Sequence, residues 1–235
     1  MTPDPDIDVR ELRVPAETPT SSKIGNPTPV GAGLLAFQLL IFGICFITVK
    51  DSTVGTNPVM LANTYSIIVA GLGQLIAGII CFFRGEGYRA QVLGLFGLWL
   101  IGFYLLAHDP ATAESPKSAA IYLFALILPV TILTVPAIVS KVWPFSLAFL
   151  AIIGLAIFAG IGYLHLQTAG ADVAAKDVAG AGSAVHSAVN MLHVGAIFGF
   201  IACVFLVIIV IEDVWGEAGM LGKARQEAVL RGGHH

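Results

Sequence analysis

The sequence predicts an all-α integral membrane protein, a bundle of six transmembrane helices with both termini cytoplasmic. Three observations predict it. The chain of 235 residues is 57% hydrophobic and 11% charged, with a mean hydropathy of +0.87, whereas a soluble domain carries about 25% charge. The charges are segregated, with no Asp, Glu, Lys or Arg in 24–49, 52–83, 90–108, 118–140, 142–171 or 178–211. The apolar runs are continuous, without the in/out alternation of a barrel strand. Each is long enough for a helix, which crosses about 30 Å of hydrocarbon in about 20 residues. This composition excludes a soluble enzyme and a disordered regulator, and a net charge of −3 excludes an electrostatic nucleic-acid binder.

Taken in order, 1–30 is a polar cytoplasmic segment without an apolar run of its own, so the first span is expected to stay as an anchor. The six-helix transporter domain follows over 31–211, with spans at 31–49, 58–82, 90–107, 119–140, 144–166 and 188–211. The first span opens on Asn26-Pro27-Thr28-Pro29-Val30-Gly31. Proline in a first turn gives up an N–H that has no helical partner. Thr28 is a natural N-cap, and the following N–H groups form a positive end able to receive an anion.

In the second span Asn63, Ser66, Ala70 and Gln74 recur at helical spacing and share one face. That face reads either as interhelical hydrogen bonding, worth about 0.6 kcal/mol per bond, or as a pore lining. Gly71, Gly73, Ala77 and Gly78 form a small face suited to close packing, as do Gly154, Gly160 and Gly162 in the fifth span and Gly195 with Gly199 in the sixth. Pro129 and Pro136 should kink the fourth span and free carbonyls. The Ala- and Gly-rich stretch 167–187 is too weakly apolar to span; it is expected to be a flexible extracytoplasmic loop, or else a lid. Residues 212–235 form a cytoplasmic tail.

Lys and Arg set the orientation. Arg10, Arg13, Lys23, Arg84, Arg89, Lys141, Lys223, Arg225 and Arg231 lie on one side, against Lys50, Lys117 and Lys176 on the other. Nine against three puts both termini in the cytoplasm; the expected location is the plasma membrane. Cys45, Cys81 and Cys203 all lie in apolar runs and read as small packing residues, without disulfide or metal. No cofactor is expected.

No carboxylate, Lys or Arg lies deep in a span, where a proton pump or voltage sensor would need one. The polar candidates that remain include Gln38, Asn63, Gln74, Thr131, Thr134, Asn190 and His193. His193 is an ionisable side chain suited to titrate near neutral pH inside a span, with a packing role as the blander reading.

Four segments carry a resemblance. Asn26, Pro27, Pro29 and Gly31 match the Asn-Pro-Ala-Pro-Leu-Gly-Leu signature of the acetate–succinate permease family, the YaaH-like acetate uptake transporters. Ala70–Gly78 is similar to that family's Gly-Gly-x-x-Gln-x-x-Ala-Gly, Phe96-Gly97-Leu98-Trp99 to its Tyr-Gly-x-Phe-Trp, and Glu212–Trp215 to the acidic cap of its sixth helix. The resemblance covers about 26–217 in matching order. It implies a pore in each six-helix protomer, a homo-oligomeric ring (a hexamer), and passage of acetate and succinate, proton-linked or channel-like. It also implies a pore narrowed at Leu35, Phe96 and Leu150.

Three departures stand out, one of them the stretch 167–187, longer than the family's loop. The run Cys81–Arg89 replaces a carboxylate followed by Gly-Asn-Thr-Phe-Gly, and Phe96 replaces a tyrosine. The expected solute pathway is therefore Asn26, Pro27, Pro29, Gly31, Leu35, Asn63, Gln74, Phe96, Leu150, Asn190 and His193. The partners are acetate or another small carboxylate and the lipid bilayer, with no nucleic acid. Two alternatives remain open: a pore for a neutral solute such as urea or ammonia, and a non-transporting membrane scaffold.

Overall fold

The computed structural model describes residues 25–51, 60–109 and 115–217. The segment up to residue 24 and the tail beyond 217, with six of the basic residues used for orientation, lie outside the described residues. Among the described residues there are six helices: α1 (Thr28–Ile47), α2 (Met60–Phe83), α3 (Gly87–His108), α4 (Pro116–Val139), α5 (Trp143–Ala174) and α6 (Val178–Glu217). Each holds a stretch long and apolar enough to cross a membrane. No strand occurs among the described residues. The protein is an all-helical, multi-pass membrane protein.

The helices form a ring in the order α3–α2–α1–α6–α5–α4, closed by a sparse contact between α4 and α3. Lipid cannot drive helices together by the hydrophobic effect, so close backbone approach and hydrogen bonds must hold the ring. Small residues make the approach possible. An ideal Cβ on Gly78 would stand 2.8 Å from the Gly94 amide nitrogen, and one on Gly97 2.6 Å from that of Leu75, so α2 and α3 touch backbone to backbone. Gly195 faces the Ala159 backbone of α5, while Gly199, one turn on, faces the Leu39 carbonyl of α1. One small stripe on α6 thus serves two neighbours.

Stretch 167–187 is a correction. The chain there is a helical hairpin: α5 runs on to Ala174, and α6 begins at Val178 after a turn whose Lys176 has φ 64°. The turn is capped by Asp177, whose Oδ1 accepts the Gly180 N–H at 2.9 Å. Low hydropathy identified a segment unfit to span, but alanine is the best helix former, and Ala169, Ala181, Ala184 and Ala188 are buried. At 1.5 Å per residue, α5 is about 48 Å long, well beyond a hydrocarbon core of about 30 Å.

The prolines of α4 leave the helix continuous from Pro116 to Val139. Pro136 has no N–H to offer the carbonyl of Ile132, and at the next residue the Leu133 carbonyl accepts from Tyr88 Oη of α3 at 2.7 Å. That bond helps hold α4 to α3.

Candidate functional site

Among the described residues, two small cavities lie in series inside the ring. The outer one, at the end where α1 begins, has walls that include Thr28, Leu35, Tyr88, Arg89, Phe145 and Leu206. The inner one is walled mostly by Leu35, Phe42, Phe96, Trp99, Leu126 and Ile152, with Gln38 beside them. Leu35 belongs to both walls. At that level Phe96 stacks on Phe149, ring centroids 6.0 Å apart, and Phe149 meets Phe145 of the outer wall at 5.9 Å. Leu35, Phe96 and Phe149 are all buried, so an apolar plug separates the cavities.

The space open to a water's centre is about 30 Å³ in the inner cavity and about 10 Å³ in the outer. A water needs about 10–15 Å³ on that measure. The inner cavity therefore has the volume of about two waters and the outer of about one. Any solute of several heavy atoms must part the rings to pass.

The entrance of α1 differs in detail from the expectation. The helix starts at Thr28, and Asn26 supplies the capping oxygen: its Oδ1 accepts the Thr28 N–H at 3.0 Å. Thr28 uses its hydroxyl elsewhere, accepting from Arg89 Nη1 at 3.3 Å and lying 3.9 Å from Cys81 Sγ. Pro27 is buried, and its carbonyl accepts the Gly31 N–H at 3.1 Å. With Pro29 lacking an N–H, the first turn has at most the Val30 amide left to give. The helix end is therefore a weaker anion receptor than its sequence suggested. Gly31 itself is buried against Leu93 and Ala77.

The polar residues of the spans divide clearly. Gln38 and Asn63 are buried and bonded, Nε2 to Oδ1 at 3.1 Å, joining α1 to α2. Ser66 donates to the Asn63 carbonyl, and Thr131 and Thr134 donate to carbonyls one turn back in their own helix. Gln74 is fully buried, with neither amide atom bonded, and lies in the wall of neither cavity.

His193 Nε2 sits 2.9 Å from the Val49 carbonyl, tying α6 to the chain just past α1. The carbonyl can only accept, so this nitrogen carries the proton. Asn190 is exposed on the outside of the protomer, which corrects its placement on the pathway. Leu150 requires the same correction. It is 49% exposed, while Phe149, one residue earlier and about 100° round the helix, is fully buried.

Arg89 and Phe149 are the residues that sequence reasoning missed. In the sequence Arg89 reads as a topology charge and as the end of the Cys81–Arg89 run. Its place in the first turn of α3, three residues after Glu86, was the available signal.

A family model for the GPR1/FUN34/yaaH family matches residues 9–221. No curated protein and no solved structure matches the chain. The matched stretch contains all six helices and both cavities, and the chain belongs to the GPR1/FUN34/yaaH family, the acetate transporter family.

Proposed function

We propose that this membrane transporter or channel carries small monocarboxylates such as acetate, with succinate as a second candidate, through the interior of each protomer. The observation that carries the reading is the pair of cavities in series, divided by Leu35, Phe96 and Phe149, with a charged mouth at Arg89 and an almost wholly apolar interior. A naked carboxylate in hydrocarbon costs several kcal/mol, and one helix N-terminus returns about 0.3–1. An apolar inner cavity therefore favours the protonated acid as the species that passes the plug. A carboxyl group of pKa about 4.3 is neutral in roughly one molecule of 500 at pH 7, so acid should accelerate flux.

The resemblance further suggests a ring hexamer in the plasma membrane, and the excess of Lys and Arg at one side suggests cytoplasmic termini. Asn26, Pro27, Pro29 and Gly31 build the mouth in this reading, and the buried Asn63–Gln38 bond backs the inner cavity.

The test is uptake of labelled acetate into proteoliposomes at pH 5.5 and pH 7.5, with urea in parallel. Saturable acetate uptake enhanced by acid is the expected result. Urea flux without acetate flux would replace this reading by a neutral-solute pore, and silence on both would leave the scaffold.

A further inference from the structure

Among the described residues Arg89 is the charged side chain in the walls of these cavities, and its surroundings leave it incompletely used. Its Nη1 donates to Thr28 Oγ1 and to Glu86 Oε2, both at 3.3 Å. Charge-assisted N–H···O bonds run to about 2.7–2.9 Å, so both are long. The nearer claim on Glu86 is made by Arg84, whose Nε donates to Oε1 at 2.6 Å. Two guanidiniums share one carboxylate, so Glu86 is divided between Arg84 and Arg89. Arg89 is partly exposed, 39% at the side chain, so a solute can reach it from water. Of the first-turn amides of α1 only that of Val30 is left to compete for that solute, since Thr28 and Gly31 have spent theirs and Pro29 has none.

We propose that Arg89 is the entry subsite for a small carboxylate. Its planar fork takes the two carboxylate oxygens together, giving up the long bond to Thr28. The Thr28 hydroxyl, which keeps its own proton, is then placed to donate to the same anion. A guanidinium matches a carboxylate in shape as well as charge, so the subsite selects carboxylates over amides and ureas of equal size. Glu86 competes with the solute and sets how strongly the site holds it. The anion is concentrated here, outside Leu35, and passes the plug after taking a proton from water. The subsite rests on the monocarboxylate reading, and the experiment below separates the two.

The test compares wild type, Arg89→Gln, Arg89→Lys and Glu86→Gln in proteoliposomes, measuring initial acetate flux against acetate concentration. Acetate-induced thermal stabilisation of the purified protein is measured beside it. Arg89→Gln is expected to raise the half-saturating acetate concentration about tenfold with the maximal rate little changed. Arg89→Lys should recover part of that shift. Glu86→Gln should move it the other way, to a lower concentration, which a misfolded protein cannot do.

An unchanged half-saturation in Arg89→Gln overturns the subsite while leaving the transport reading in place. If Arg89→Gln does not fold, Glu86→Gln decides: no shift overturns the proposal. Wild type that shows no flux, yet is stabilised by acetate in an Arg89-dependent way, keeps the subsite and removes the transport reading.

Discussion

Trp99 of α3 and Tyr122 of α4 exchange hydrogen bonds across the weakest joint of the ring. Tyr122 Oη donates to the Trp99 carbonyl at 3.1 Å, and Trp99 Nε1 donates to the Tyr122 carbonyl at 3.4 Å. The two rings stack with centroids 5.6 Å apart. Trp99 also lines the inner cavity and stacks on Phe103 at 5.3 Å. One pair therefore closes the bundle and forms part of the cavity wall. In lipid an unpaired indole N–H or phenol would be costly, and each here is satisfied by backbone of the opposite helix.

This joint depends on Gly102, whose missing side chain is the space that the Tyr122 hydroxyl occupies. Tyr122→Phe removes one interhelical bond, worth about 0.6 kcal/mol. Gly102→Ala should cost more, about 1–3 kcal/mol, because the ring must move and both bonds with it. The double variant should recover part of that loss, since the phenylalanine no longer fills the space. Thermal melting of the four proteins in detergent checks this cycle. Strictly additive losses would mean that Gly102 acts elsewhere.

The α2–α3 seam gives a sharper contrast. A Cβ on Gly97 meets backbone, 2.6 Å from the Leu75 nitrogen and 2.9 Å from the Gly71 carbonyl oxygen, whereas one on Gly94 meets nothing within 4 Å. Backbone cannot swing aside as a side chain can. Gly97→Ala should therefore lose about 1–3 kcal/mol and yield little folded protein, while Gly94→Ala stays within about 0.5 kcal/mol of wild type. Size-exclusion yield and melting temperature of the two variants distinguish them. Equal behaviour would show that α2 and α3 do not pack as closely as described.

The plug predicts a difference between neighbours in sequence. Phe149 stacks on Phe96 inside the ring, and Leu150 is half exposed outside it. Phe149→Ala should open the plug and admit a longer acid such as propionate, at a stability loss of about 3–5 kcal/mol. Leu150→Ala should leave both acetate and propionate flux within about twofold of wild type, as expected of a surface change. Proteoliposome uptake of the two acids reads the result. A flux change in Leu150→Ala with none in Phe149→Ala would put the constriction on the other face of α5.

The six spans were legible because charge is excluded from lipid, so their limits follow from where Asp, Glu, Lys and Arg stand. What a helix of uniform hydropathy conceals is which way it faces. On α5, Phe149 and Leu150 are both large and apolar, and a carry-over by position fell one residue off. On α6, Asn190 and His193 are three residues apart, yet of the two only His193 bonds to the stretch just past α1. The 167–187 hairpin was missed for a different reason: hydropathy asks whether a segment enters lipid, and alanine makes a helix without entering. At the mouth the sequence showed an N-terminal helix end, and the structure fills its amides from Asn26 and Pro27 and brings Arg89 across from α3.

The pH dependence of flux should belong to the solute and not to His193. Its Nε2 is bonded to the Val49 carbonyl at 2.9 Å, at the end of the ring remote from Arg89, and His193 lies in the wall of neither cavity. A carboxyl group of pKa about 4.3 is protonated about a hundredfold more often at pH 5.5 than at pH 7.5. Flux carried by the neutral acid should rise steeply over that interval whatever occupies position 193. His193→Gln should therefore keep the acid stimulation and lose about 0.6 kcal/mol of stability, the worth of one interhelical bond. Acetate uptake at the two pH values, with a melting curve beside it, checks both halves. Loss of acid stimulation in a folded His193→Gln protein would make the imidazole the proton carrier and move the coupling step to the far end of the ring.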